Sequence, residues 1–263
     1  MREPMMSLLE AAGLAIAAAA AGAINAIAGG GTLITFPALI FFGTQELTAN
    51  ATSTLALVVG TAGSIYGYRK HIAEVRTWLV RFVPVSVVGG WLGSILLTHT
   101  SNAVFARLVP YLLLFATVLF LSQGLFRRLA GLESSMAARP HNHAIWVAIL
   151  FQFAVAIYGG YFGAGIGILM LASLGFLGLG NIYEMNALKN VLGSLINVVA
   201  AIWFIYSGLI DWPKMGIMSA GAIMGYYFGA HYSLRISQSR VRMIITAIGF
   251  IISAALFWRQ FSR

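Results

Sequence analysis

Two glycine clusters set inside apolar sequence carry the clearest chemistry in this chain: Gly29-Gly30-Gly31 and Gly163-Ala164-Gly165-Ile166-Gly167. Each glycine costs a helix about 1 kcal/mol relative to alanine, so a run of them breaks it. A helix that restarts after the break leaves its first N–H groups unpaired and carries the positive end of its dipole there. The N–H groups of Gly30, Gly31, Thr32, Ala164, Gly165 and Ile166 are therefore expected to hold an anion without a charged side chain. Side chains suited to an oxyanion flank the clusters: Asn25, Asn50 and Ser53 in one half, Asn186, Lys189 and Asn190 in the other. With Gly29 and Gly163, which open the two breaks, these residues form the candidate substrate-binding set. Lys189 is the charged residue set well inside an apolar run, where a cation marks function by default. Snorkelling to an interface, or pairing with Glu184, explains it equally well.

Other chemistries find little support. The Gly-x-Gly-x-Gly string lacks the strand–helix–strand context and the acidic residue of a dinucleotide fingerprint. His71, His99, His141, His143 and His231 fall at loops or helix ends, with no carboxylate cluster to complete a metal site. There are no cysteines. No Ser/His/Asp or paired-carboxylate arrangement lies in apolar sequence, so no catalytic residue, metal or cofactor is expected and the chain is read as not an enzyme.

The elements that hold the clusters follow from composition. Of 263 residues, 60% are hydrophobic and 9% charged, against about 45–50% and 25% in soluble domains. Mean hydropathy is +0.88 over the whole length. At about 20 apolar residues per spanning helix, there is room for roughly eight to ten membrane segments. Apolar runs fall near 7–28, 31–43, 47–66, 79–97, 105–125, 144–162, 164–179, 185–206, 214–232 and 241–258. All read as helices, because lipid cannot satisfy an open strand edge and the alternation of a barrel is missing. The runs at 31–43 and 164–179 are short, and each opens from a glycine cluster. The net charge of +9 reads as basic cytoplasmic loops fixing topology rather than as a nucleic-acid surface. Trp78, Trp146, Trp212 and Trp258 read as interface anchors.

A polar stretch, 127–143, divides the chain into membrane repeats over 1–126 and 144–263. Asn50-Ala51 corresponds to Asn186-Ala187, and Gly89 and Gly93 to Gly225 and Gly229; these four glycines read as close-packing contacts. Five segments per half would set the halves in opposite orientations. The loop charges agree: Arg69, Lys70 and Arg76 mark one loop of the first half, and Arg235, Arg240 and Arg242 mark the following loop of the second. Opposite bias at equivalent loops is what inverted repeats predict. The expected fold is an all-α polytopic membrane protein of two inverted repeats with Gly-broken short helices.

Asn25 through Pro37, followed by Gly43 and Ala51-Thr52-Ser53, resembles the signature of the TauE/SafE family of sulfite and organosulfonate permeases. Tyr161 through Gly167 is similar to that family's repeated glycine motif. The chain departs from the pattern at Leu171, where a second proline is expected, and at Leu188-Lys189-Asn190, which replaces a Thr-Ser-type run. The resemblance implies a bacterial inner-membrane permease for small sulfur oxyanions or organosulfonates, often acting outward. Its partners would be a small anionic substrate and the lipid bilayer, with no nucleic acid and homo-oligomerisation left open. An anion channel using the half-helix N-termini as a filter is the alternative.

Overall fold

The computed structural model describes residues 6–27, 30–67, 75–122, 142–175, 182–232 and 238–262. Ten helices are described: α1 (Leu8–Ile27), α2 (Thr32–Phe41), α3 (Glu46–Gly67), α4 (Arg76–His99), α5 (Asn102–Leu121), α6 (Asn142–Tyr161), α7 (Ile166–Gly175), α8 (Ile182–Tyr206), α9 (Trp212–Tyr232) and α10 (Gln238–Phe261). No strand occurs among the described residues. Every apolar run of the sequence is a helix, with ends within a few residues of those expected. Most of the linker 127–143, the loop residues Arg69 and Lys70, and Arg235 lie outside the described residues.

The chain's exterior is apolar. Trp146, Leu150, Ile202 and Tyr227 are each more than 60% exposed, an arrangement suited to lipid rather than water. By length and composition, α1, α4, α5, α8 and α10 each contain a segment able to cross a membrane. The half-helices differ. α2 has ten residues, roughly 15 Å of helix, about half the hydrocarbon thickness, and α7 is described from its start after the second break to Gly175. Eight helices of 20–25 residues remain.

α2 doubles back along α1. Phe42, which caps its C-terminus, packs on Gly13, and Lys214 on α9 ties this end together. Its ammonium pairs with Glu10 at 2.8 Å and donates to Thr44 Oγ1 at 2.9 Å. Asp211 lies farther from it, at 3.8 Å, and uses Oδ1 to accept from the Lys214 N–H. At the same end Asn102 donates to Glu46 and accepts from the Leu47 N–H. The starts of α1, α3, α5 and α9 therefore share one end of the bundle.

The halves interlock. α1 packs on α9 and α4 on α6, while α3 contacts α9 and α8 contacts α4. Exchanging each helix in these pairs for its counterpart five places along returns the same pairs. Small residues allow the closest approaches. Gly221, Gly225 and Gly229 face Ala15, Ala19 and Ala23 in parallel register, and Gly89 and Gly93 face the backbone of Phe153 and Ile157. A methyl group at Gly225 or Gly93 would overlap a carbonyl oxygen of the partner helix. The close-packing reading of these four glycines therefore holds. One core cluster joins Leu14, Phe36 and Phe105 to Phe162 and Phe204, residues of both halves.

Candidate functional site

At the first break the chain turns through Gly30, whose φ of +90° is one that side-chain-bearing residues rarely adopt. A methyl there would also press on the Phe120 ring, 2.7 Å away. The Gly31 N–H donates to Asn25 Oδ1 at 2.6 Å. Both groups had been expected to serve an anion. They are instead committed to each other, because an asparagine oxygen is a strong partner for an orphan N–H at a helix start. The Leu33 and Ile34 N–H groups close a tight first turn on the Gly30 and Gly31 carbonyls. The Thr32 N–H has no partner among the described residues.

Ser53 and Thr35 are fully buried and lie 2.6 Å apart, hydroxyl to hydroxyl. Thr35 donates to the Gly31 carbonyl at 3.2 Å, so Ser53 is the donor in their mutual bond. Its proton braces α3 on α2 and is not free for a ligand. Asn50 donates from Nδ2 to the Tyr161 carbonyl at 3.1 Å, which joins α3 to the second break. Its donor is likewise engaged, against the expectation that it faces an oxyanion.

The second break has glycines at φ +80° at positions 163 and 165. Phe162 and Gly163 donate to the Tyr158 carbonyl, and the Tyr158 hydroxyl donates to the Ala164 carbonyl at 2.8 Å. Ile166 donates to Gly163 at 3.4 Å and Ile168 to Gly165 at 3.0 Å. The expected donor at Ile166 is thus occupied, while the N–H groups of Ala164, Gly165 and Gly167 have no partner among the described residues. Gly167 was missed as a donor; the tight first turn shifts the open positions by one residue.

Lys189 belongs to this cluster. A Cβ at Gly167 would lie 3.5 Å from Lys189 Cδ, so the lysine stem runs over the first turn of α7. Asn190 follows on α8, half-buried and without a hydrogen bond among the described residues. Asn197, which the sequence reading did not single out, puts Oδ1 3.6 Å from a Cβ built at Gly163. Its spacing of seven residues from Asn190 places both on one helix face and was the available signal. Gly29 and the Asn186 side chain lie outside the described residues.

α5 brings the two clusters together. Phe120 packs on Gly30, while Ala116 and Leu119 meet Gly165. Ala116 and Phe120 are one turn apart, about 6 Å of helix rise. Both half-helices therefore begin at one level of the interior. Phe36 packs edge-on against Phe162 at 5.4 Å, and Phe105 against Tyr161 at 5.7 Å, walling one side.

Asn25→Ala is expected to strand the Gly31 N–H and to lower stability by about 1–2 kcal/mol, as for loss of a helix cap. Asn25→Asp keeps the acceptor and should melt within about 1 °C of wild type per few tenths of a kcal/mol lost. Thermal unfolding of the detergent-purified variants separates the two.

Long apolar helices around two half-helices that start together in the interior define a polytopic membrane transporter. The chain belongs to the TauE/SafE family: the family model described as "Sulfite exporter TauE/SafE" matches residues 14–256. It is similar to a probable membrane transporter protein of Haemophilus influenzae, 29% identical over 90% of each chain. The probable membrane transporter protein YfcA of Escherichia coli K12 is 26% identical over 90% of this chain and 86% of its own. YunE of Bacillus subtilis, also called a probable membrane transporter protein, is 22% identical over 90% and 94%. No solved structure matches the chain. The protein is a multi-pass transporter of the bacterial inner membrane.

Proposed function

We propose that the protein is a secondary transporter of small sulfur oxyanions, sulfite and organosulfonates first among them, with the substrate held between the two half-helix N-termini. The observation that carries this reading is that both breaks pack against one turn of α5, where the N–H groups of Thr32, Ala164, Gly165 and Gly167 have no partner among the described residues, with the Lys189 stem on the α7 side. Unpaired N–H groups and the positive dipole ends favour an oxyanion. The sulfur preference follows the family. Asn25 and Ser53 position the first break, and Lys189, Asn190 and Asn197 offer polar side chains near the second.

Alternating access would rock the repeat 1–126 against 144–263 around this site, with 127–143 as their connection. The exchangeable helix neighbours and the parallel register of α1 on α9 support inverted repeats, since α1 and α4 run in opposite directions within one half. For an anion moving alone, an interior-negative potential favours exit by about 2.3 kcal/mol per charge per 100 mV. Export is then the downhill direction.

The test is thermal stabilisation of purified protein by sulfite, thiosulfate, taurine, small carboxylates and chloride, followed by flux in proteoliposomes. A ligand of the folded state raises apparent stability by mass action. Stabilisation by sulfur oxyanions with saturable, competable flux is expected. Unitary currents would establish the channel instead, and an absence of any anion effect would overturn the anion site.

A further inference from the structure

Asn50 presents an atom that the anion site does not explain. The side chain is 1% exposed, Nδ2 is engaged by the Tyr161 carbonyl, and Oδ1 is buried without a hydrogen-bond partner. A buried polar group in this condition marks an unseen water or ion. Its surroundings are acceptors as well. Tyr161 ends α6, and the last carbonyls of a helix have no partner within it. The Tyr158 carbonyl takes both following N–H groups, which leaves the Gly159 and Gly160 carbonyls without a backbone donor among the described residues. The C-terminal end of α6 adds the negative pole of its dipole, about half an elementary charge. An anion is repelled here. What fits is positive charge.

We propose that Asn50 Oδ1 and the terminal carbonyls of α6, Tyr161 first among them, form a binding site for a monovalent cation of the sodium type. The donor set selects the charge. Amide and carbonyl oxygens without a carboxylate suit a single charge, whereas Ca²⁺ and Mg²⁺ sites are built around carboxylates. A proton finds no base among these groups. Broken helices elsewhere use the same plan, with N-terminal ends on the anion and C-terminal ends on the ion that accompanies it.

The site's position gives it a consequence for transport. Gly165 lies four positions after Tyr161, at most about 14 Å of chain, so cation and anion would sit close together in a medium that screens poorly. Each raises the other's affinity by the same factor. This coupling rests on the proposed anion site; the cation site itself does not. A monoanion carried with one cation moves no net charge. The electrical term then cancels, and direction follows the two concentration gradients together.

The experiment measures thermal unfolding of the full-length protein in equimolar sodium chloride and choline chloride, then sulfite affinity in each. Sodium is expected to raise the melting temperature, and sulfite to bind at least about fivefold tighter in sodium. Asn50→Leu should remove both effects, and Asn50→Asp, which keeps an acceptor and adds charge, should strengthen the sodium shift. If the leucine variant does not fold, the aspartate variant alone decides. Equal melting in sodium and choline, or a sodium shift unchanged in the folded variants, assigns water to Oδ1 and overturns the cation site. Sodium stabilisation without sulfite binding keeps the cation site and removes the anion site; sodium stabilisation with sulfite binding indifferent to sodium keeps both sites and overturns their coupling.

Discussion

Lys189→Glu is expected to abolish sulfite binding to the purified protein while leaving it folded. The lysine stem crosses the first turn of α7 beside Gly167, next to the N–H groups of the second break that have no partner among the described residues. A hydrogen bond to a charged group is worth about 1.5–3 kcal/mol, so Lys189→Ala should weaken sulfite by roughly 10- to 150-fold at 1.4 kcal/mol per tenfold. The glutamate adds repulsion and should carry the loss beyond detection. Lys189→Arg keeps the charge but alters its geometry, and should retain part of the affinity. The side chain is only partly buried, so monodisperse elution and a melting temperature near that of wild type are expected for all three. Unchanged affinity in Lys189→Ala would place the ammonium outside the site and leave the backbone donors to act alone.

Gly225→Val should yield little or no folded protein. The position faces Ala19 so closely that even a methyl group overlaps the Ala19 carbonyl oxygen, and a backbone cannot move aside as a side-chain tip can. Overpacking a tight contact costs about 1–3 kcal/mol, and more where nothing yields. The whole α1–α9 contact is a ladder of such positions, so separating the helices at one rung loosens its neighbours. Gly216, on the same helix, has open space around it, and Gly216→Ala should be neutral or gain slightly from helix propensity. Fluorescence-detected gel filtration and melting temperatures would compare the pair. Equal behaviour of Gly225→Val and Gly216→Ala would refute the packing assigned to α1 and α9.

The helices and their two interruptions are legible in the sequence because they rest on local physics. Apolar length, glycine runs and the cost of unpaired backbone in lipid fix all ten segments. The short length of α2 was visible too, since the apolar run 31–43 is too short to span the hydrocarbon layer. What escaped is which polar group answers which. Asn25 and Gly31 are near in sequence, yet whether an asparagine caps a helix or faces a ligand depends on the path of the turn between them. Asn50 meets Tyr161 across 111 residues, a pairing that no spacing rule contains. Lys214 has Asp211 three residues before it, yet its shorter ion pair is with Glu10, near the start of α1. Local pattern sets the elements; partners of buried polar groups are set by packing between halves.

The interlocked halves also govern how the chain is made. α1 leaves the ribosome about 200 residues before its partner α9 begins. At roughly 5–20 residues per second, that is a wait of about 10–40 seconds. During it, the alanine face of α1 and the broken backbone after it sit in the bilayer without the surface they fit. The same holds, for a shorter interval, for α4 before α6. α6 therefore closes on α4 before α9 emerges to close on α1, and a nascent chain stalled at the central linker would hold a half with no finished interior.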